Sequence, residues 1–316
     1  MKRKIKIILP ILLGVFFLYL TFEITSVDQR SLIINYIKSA QIEFVLLAMC
    51  FGASADIIRG LRWRILAQAI GYKSNMINSI ASVFMCYTSN ILIPRSGEII
   101  RATVLSEYDK IPLGKTFGTI AAERLIDILI SFFILILVWT FQYEVILESF
   151  FDDDLLYKIN NNIMLIVFIV ILMIVTLIFI TLKVKRIKKF FKGIIEGILS
   201  LTKLEDKLFQ FAIFSSLIWA FYILAFFIIK FSIPQLSVID NSLIFSAFVV
   251  GVYSISLSNH GFGVYPLAIS LFLMKFGVDA EIGLAYGWLA WSCQAIITII
   301  LGGLSFFVLP LLKTSD

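Results

Sequence analysis

Long apolar stretches recur along this sequence, at 7–25, 42–59, 76–94, 113–141, 162–182, 208–231, 239–257 and 280–309. Most match the roughly 20 residues that carry a helix across a hydrocarbon core of about 30 Å. With 60% of residues hydrophobic and 15% charged, the chain is too apolar for a water-soluble domain. A backbone that crosses lipid must satisfy its own N–H and C=O groups, so the sequence predicts an all-α polytopic membrane protein. Two shorter stretches, 97–109 and 264–276, follow breaks at Pro94-Arg-Ser-Gly97 and Ser258-Asn-His-Gly-Phe-Gly-Val-Tyr-Pro266. Each gives roughly 20 Å of helix, too little to span alone.

The placement of charge orients these crossings. Basic residues gather at Lys2 to Lys6, at Arg59, Arg62, Arg64 and Lys73, at Lys110 and Lys115, and most densely between Lys183 and Lys207. The stretch 142–162 is acidic instead, with Glu144, Glu148, Asp152, Asp153 and Asp154 against Lys158. The positive-inside rule then puts both termini and 183–207 in the cytoplasm and 142–162 outside, in a cell inner (cytoplasmic) membrane. A net charge of +6 distributed in this way points to anionic head groups and excludes nucleic acid as the partner. Residues 7–19 follow a basic N-terminus without a small-residue cleavage site, which predicts a retained signal anchor. Cys50, Cys86 and Cys293 lie in apolar stretches without CxxC spacing and read as small core residues.

With this orientation, 76–109 and 239–276 become broken, re-entrant hairpins that enter from opposite faces. Each precedes a long crossing, and 27 residues separate Gly97 from Arg124 while 28 separate Gly263 from Trp291. The expectation is a single integral membrane domain, 1–316, built as an inverted repeat with halves at about 40–141 and 207–309. The halves are linked by the acidic outer loop 142–162, a helix at 162–182 and the basic cytoplasmic segment 183–207. Irregular backbone at depth needs cover from protein or water, so two breaks predict a shared polar cavity near the midplane.

Charges at that depth are the candidate site, since each costs at least about 2.5–3.5 kcal/mol on insertion scales. Arg95, Glu98 and Arg101 surround the first break; Glu98 and Arg101 are three apart and can pair on one helical face. Glu123, Arg124 and Asp127 form an acidic face beside a cation on the next helix. One reading is an anion clamp, in which Arg95, Arg101 and Arg124 hold a lipid phosphate while the carboxylates orient them. The other is a structural ion-pair network. Asp56, Arg59, Arg62, Trp63 and Arg64 read as snorkelling anchors at the end of the second crossing. Asn259 and His260 at the second break either contact a head group or satisfy freed backbone groups.

Three strings make the sequence recognisable: Arg59-Gly-Leu-Arg-Trp-Arg64, Asn90-Ile-Leu-Ile-Pro-Arg-Ser-Gly-Glu-Ile-Ile-Arg101 and Glu123-Arg-Leu-Ile-Asp127. With Gly261-Phe-Gly-Val-Tyr-Pro266 and Gly287-Trp-Leu-Ala-Trp291, they make residues 40–309 resemble the flippase-like transmembrane region of lysylphosphatidylglycerol synthases and its stand-alone relatives. The resemblance implies movement of an anionic, aminoacylated or glycan-linked lipid between leaflets, without the aminoacyl-transferase domain and so without lipid synthesis. His260-Gly-Phe-Gly263 and Trp291-Ser292 depart from the family's Gly-Gly-x-Gly break and last-helix arginine, which suggests a site charged mainly in its first half.

Two other classes stay open: a non-transporting scaffold that recruits a cytoplasmic lipid- or glycan-modifying enzyme through 183–207, and an intramembrane lipid-phosphate enzyme. The sequence holds no GxxxxGK[ST] loop and no HExxH motif, so no catalytic residue, cofactor or metal is assigned.

Overall fold

The structure, a computed structural model, describes residues 2–150, 204, 207–255, 258 and 260–313, and all regular structure among them is helical. The helices are α1 (Lys2–Ile24), α2 (Val27–Lys38), α3 (Ile42–Ala69), α4 (Met76–Leu92), α5 (Gly97–Tyr108) and α6 (Leu113–Phe150). They continue with α7 (Leu208–Ser232), α8 (Pro234–Ser237), α9 (Asn241–Ser254), α10 (Val264–Met274) and α11 (Ala280–Lys313). Four stretches among the described residues are long and apolar enough to cross a membrane: Ile42–Ala69, Leu113–Gln142, Leu208–Ser232 and Ala280–Leu311. The crossing expected at 162–182 and the basic segment 183–203 lie outside the described residues. So does 151–162, and the acidic stretch before it, expected as loop from residue 142, continues α6 as far as Phe150.

Local chemistry sets the helix ends. Ser26 and Gln29 form a reciprocal capping box that starts α2, an element the apolar pattern missed. Asn75 and Asp240 cap α4 and α9 by accepting from Ile77 and Ser242 backbone N–H groups. At Gln142 the backbone leaves helical geometry, and the side chain ties α6 to α9 by donating to the Ser242 carbonyl and accepting from Ser246.

Both expected breaks are present. Between α4 and α5, Arg95 turns the chain at φ 63, the Gly97 N–H donates to Asn90 Oδ1 at 2.8 Å, and Ser96 Oγ donates to the Ser89 carbonyl. Between α9 and α10, His260, Gly261 and Gly263 all have positive φ, a conformation that favours glycine. The arms α4, α5, α9 and α10 run about 25, 18, 21 and 16 Å, each short of a hydrocarbon core of about 30 Å.

α3 lies along α7; α4 packs on α3, α5 and α11; α10 packs on α9 and α11. One apolar core joins α7, α9, α10 and α11 around Tyr286, whose hydroxyl donates to the Phe226 carbonyl at 2.8 Å. A second joins the ends of α3, α5 and α6 around Trp63, which donates to Thr119 Oγ1 at 3.1 Å. Leu129, Phe132, Phe133 and Ile136 of α6 face outward, as a lipid-facing helix surface requires. Cys86 and Cys293 are buried as expected, but Cys50 is exposed on the outer face of α3. An apolar surround gives a small thiol no reason to turn inward.

Candidate functional site

Helical spacing places Asp56, Arg59 and Arg62 on one face of α3, and Glu123 and Asp127 on one face of α6. The two faces meet. Arg62 Nη2 lies 3.1 Å from Glu123 Oε1, and its Nη1 lies 2.8 Å from Asp127 Oδ1. Arg59 pairs with Asp127 and, at 3.4 Å, with Glu123. From α5, Arg101 Nη2 reaches Glu123 Oε2 at 3.0 Å, and on α7 Ser215 Oγ accepts from Arg62 at 3.1 Å. All five charged side chains are buried or nearly so, and Glu123 is fully enclosed. Removing one member of such a set leaves an uncompensated charge and costs about 3–5 kcal/mol. This is a lock between four helices.

The lock overturns two expectations. Arg59, Arg62 and Trp63 do not end a crossing as snorkelling anchors: α3 continues to Ala69, and these side chains turn into the protein. The buried carboxylates on α6 attract them more strongly than water beyond the head groups could, because Coulomb attraction grows as the dielectric falls. Arg64 alone points towards the helix end and donates to the Ser74 carbonyl at 3.0 Å. Nor do Glu98 and Arg101 pair. Arg101 goes to the enclosed Glu123, and Glu98 faces Arg124 at 3.4 Å instead. Arg95 stays exposed in the turn.

Beside the lock is a cavity of about 530 Å³. Arg59, Tyr87, Asn90, Glu98, Arg124 and His260 line it in one region, and Ala48, Phe226, Ile229, Phe248 and Val252 in another. Along α3, Ala48 and Arg59 stand about 16 Å apart at 1.5 Å per residue, and Ala48, Phe226, Ile229 and Phe248 belong to one apolar core, so the lining is amphipathic. In the polar region, the guanidinium carbons of Arg124 and Arg59 lie 5.5 and 5.9 Å from the Tyr87 ring centroid. Arg124 and Glu98 remain about one third exposed, 32% and 35%, while Arg101 is 1% exposed. The accessible cation is therefore Arg124.

The second half of the chain closes the cavity. Trp291 Nε1 donates to the His260 carbonyl at 2.9 Å, and His260 stands 6.5 Å from Tyr87 across the two breaks. Arg124 and Trp291, at matching distances from their breaks, both line the space. Asn259 lies outside the described residues. Asn90, from the second of the recognisable strings, also lines the cavity, as do Tyr87, Tyr222 and Gln294, which were not singled out in the sequence. Gln294 carried a usable signal, an amide deep in an apolar helix; Tyr222 sits in an aromatic-rich helix where nothing marks it. Among the described residues, no three of His, Cys, Asp and Glu converge as metal ligands.

A profile of the family described as "Lysylphosphatidylglycerol synthase TM region" matches residues 7–302. UPF0104 membrane protein MJ1595 of Methanocaldococcus jannaschii is 32% identical over 104 residues, which is 32% of this chain and 31% of that protein. Glycosyltransferase AglD of Haloferax volcanii is 28% identical over 128 residues, 40% of this chain and 20% of that protein. The match thus spans about a third of the first relative and a fifth of the second. No solved structure matches the chain. Matched over nearly its whole length and built of long apolar helices, the chain belongs to the lysylphosphatidylglycerol synthase transmembrane-region family of multi-pass membrane proteins.

Proposed function

We propose that the chain binds a membrane lipid with an anionic head group and moves it between leaflets of the cytoplasmic membrane. The observation that carries this reading is the cavity itself, with an accessible Arg124–Glu98 pair in one region and an apolar wall in another. A free ion would not need the apolar wall, and a hydrocarbon alone would not need the arginine. Arg124 takes the phosphate, and Glu98 and His260 border the head group. Glu123, Asp127, Arg101 and Arg59 hold the frame. The earlier anion clamp of Arg95, Arg101 and Arg124 narrows to Arg124, since Arg101 is spent on Glu123. The halves at 40–141 and 207–309 act as an inverted repeat of re-entrant hairpins, with both termini cytoplasmic.

Mass spectrometry of co-purifying lipids, followed by a leaflet-transfer assay, tests this. One anionic or polyprenyl-linked lipid enriched on the wild type and lost from Arg124→Ala supports the reading. Unselected bulk lipid on both proteins rejects it.

A second reading is favoured by the relative named a glycosyltransferase, most of which lies outside the match. In this reading the present chain does not transport but holds lipid for a lipid- or glycan-modifying enzyme recruited through 183–207. Selective lipid binding without leaflet transfer would favour it.

A further inference from the structure

We propose that Asp56 is a proton-binding site coupling the cavity to a transmembrane proton gradient; this rests on the lipid-translocation reading above. Asp56 is fully buried and sits at the middle of α3, about 20 Å of helix from either end. It differs from the other buried carboxylates. Glu123 and Asp127 are each held by guanidinium groups, whereas Asp56 makes no ion pair among the described residues. Each of its oxygens instead accepts from a neutral donor: the Tyr222 hydroxyl at 2.5 Å on Oδ1, and the Gln294 amide at 3.1 Å on Oδ2. Three helices, α3, α7 and α11, meet on this one carboxyl.

A carboxylate clamped by arginine keeps its charge. One held by neutral donors can gain or lose a proton without breaking an ion pair. The surroundings are specific. Arg59, one turn along α3, is engaged with Asp127, and Arg124 on α6 with Glu98; Tyr87 is the titratable group α4 presents, Tyr222 is that of α7, and α11 offers the Gln294 amide. Gly52 leaves room for that amide, since a Cβ there would lie 2.1 Å from Gln294 Oε1.

Tyr222 lines the cavity and Asp56 does not, so the hydroxyl is the relay. Tyr222 passes its proton to Asp56 Oδ1 and takes one from hydronium in the cavity, leaving water; the new acid O–H then donates back to the tyrosine oxygen, and Gln294 still donates to Oδ2. One proton moves and nothing else is consumed. Neutralising Asp56 removes a negative charge beside Arg59 and Arg124, which strengthens anion binding there. Proton and anionic head group therefore bind together and travel in the same direction.

The test uses the purified full chain in phosphatidylcholine vesicles carrying fluorescent phosphatidylglycerol, with pH gradients of either sign. Transfer should quicken when the leaflet of origin faces the acidic side, and Asp56→Asn should lose that response. Infrared spectroscopy of the same proteins should show a protonated-carboxyl band that titrates in wild type, is missing from Asp56→Asn and has a moved midpoint in Tyr222→Phe. Transfer indifferent to the proton gradient, or driven by sodium, overturns the proposal and leaves the lipid reading standing. Without any transfer the lipid reading fails, and the infrared arm decides Asp56 alone: no titrating band, or one that survives in Asp56→Asn, rejects the site. If Asp56→Asn fails to fold, an unmoved midpoint in Tyr222→Phe is the rejecting result.

Discussion

At Arg101 the guanidinium is 1% exposed and committed to Glu123 at 3.0 Å, whereas at Arg124 it is 32% exposed and opens onto the cavity beside Tyr87. The same group is structural in one place and available in the other, and burial makes the difference. Arg101→Met leaves Glu123 enclosed with fewer counter-charges, so it should lose stability, by about 3–5 kcal/mol for breaking a buried pair. Thermal unfolding in detergent reads that loss directly. Arg124→Gln should unfold near the wild-type temperature, because its pair with Glu98 is about one third exposed and worth little. It should nevertheless lose the selectively bound lipid. Equal loss of stability in both variants would contradict the division of roles. Outside the membrane, the Asp240 carboxyl is held below the usual carboxylate range by hydrogen bonds from Ser242, in keeping with its place at the start of α9.

The elements around the site owe their positions to close approaches that only small residues permit. On α11, Gly283 and Gly287 are four apart and face α10; a Cβ on Gly287 would lie 2.6 Å from Pro266 Cα, and one on Gly283 would lie 2.9 Å from Ser270 Cα. This is the small-xxx-small spacing that lets membrane helices touch backbone to backbone. Gly302 plays the same part against α4, where a Cβ would come 2.7 Å from the Phe84 carbonyl oxygen. Gly287→Leu should separate α10 from α11 and cost about 1–3 kcal/mol from overpacking. A lowered unfolding temperature together with loss of the Trp291 to His260 contact, visible as altered tryptophan fluorescence, would bear this out. The four-spaced glycines of α6, Gly114 and Gly118, have open space around them. The two long helices thus look alike in sequence and are used differently. α11 is clamped to its hairpin by backbone contact, and α6 is joined to its own by the apolar core around Trp63 and by charge, through Arg101–Glu123 and Arg124–Glu98.

Among the described residues, four long apolar helices and four shorter arms surround an amphipathic space, and the charge bias of the connecting stretches predicts their orientation. That orientation predicts that a cysteine at Asp153 is labelled by a membrane-impermeant maleimide in intact cells, and one at Lys188 only after permeabilisation. The reverse pattern, or the same side for both, would dismiss the positive-inside assignment. The class of protein, the positions of most long helices and the two breaks were legible in the sequence, because apolar length, proline and positive-φ glycine act locally. The convergence of Glu123 and Asp127 was legible too, since four-residue spacing fixes a helical face. Partner choice was not. Nothing in Arg59-Gly-Leu-Arg-Trp-Arg64 says whether its arginines leave the membrane or turn inward. Only the packing of α3 against α6 and α7 decides this, by offering buried carboxylates that water cannot reach. In the same way Asp56, Tyr222 and Gln294 come from three distant parts of the chain and become one site only through tertiary contact. The sequence by itself thus determined the solvent, most of the long helices and the charges that must be satisfied at depth, through length, hydropathy and local turn chemistry. Tertiary structure alone decided which charge satisfies which, and so left Arg124 open to a ligand, because pairing in a low dielectric goes to the nearest enclosed partner.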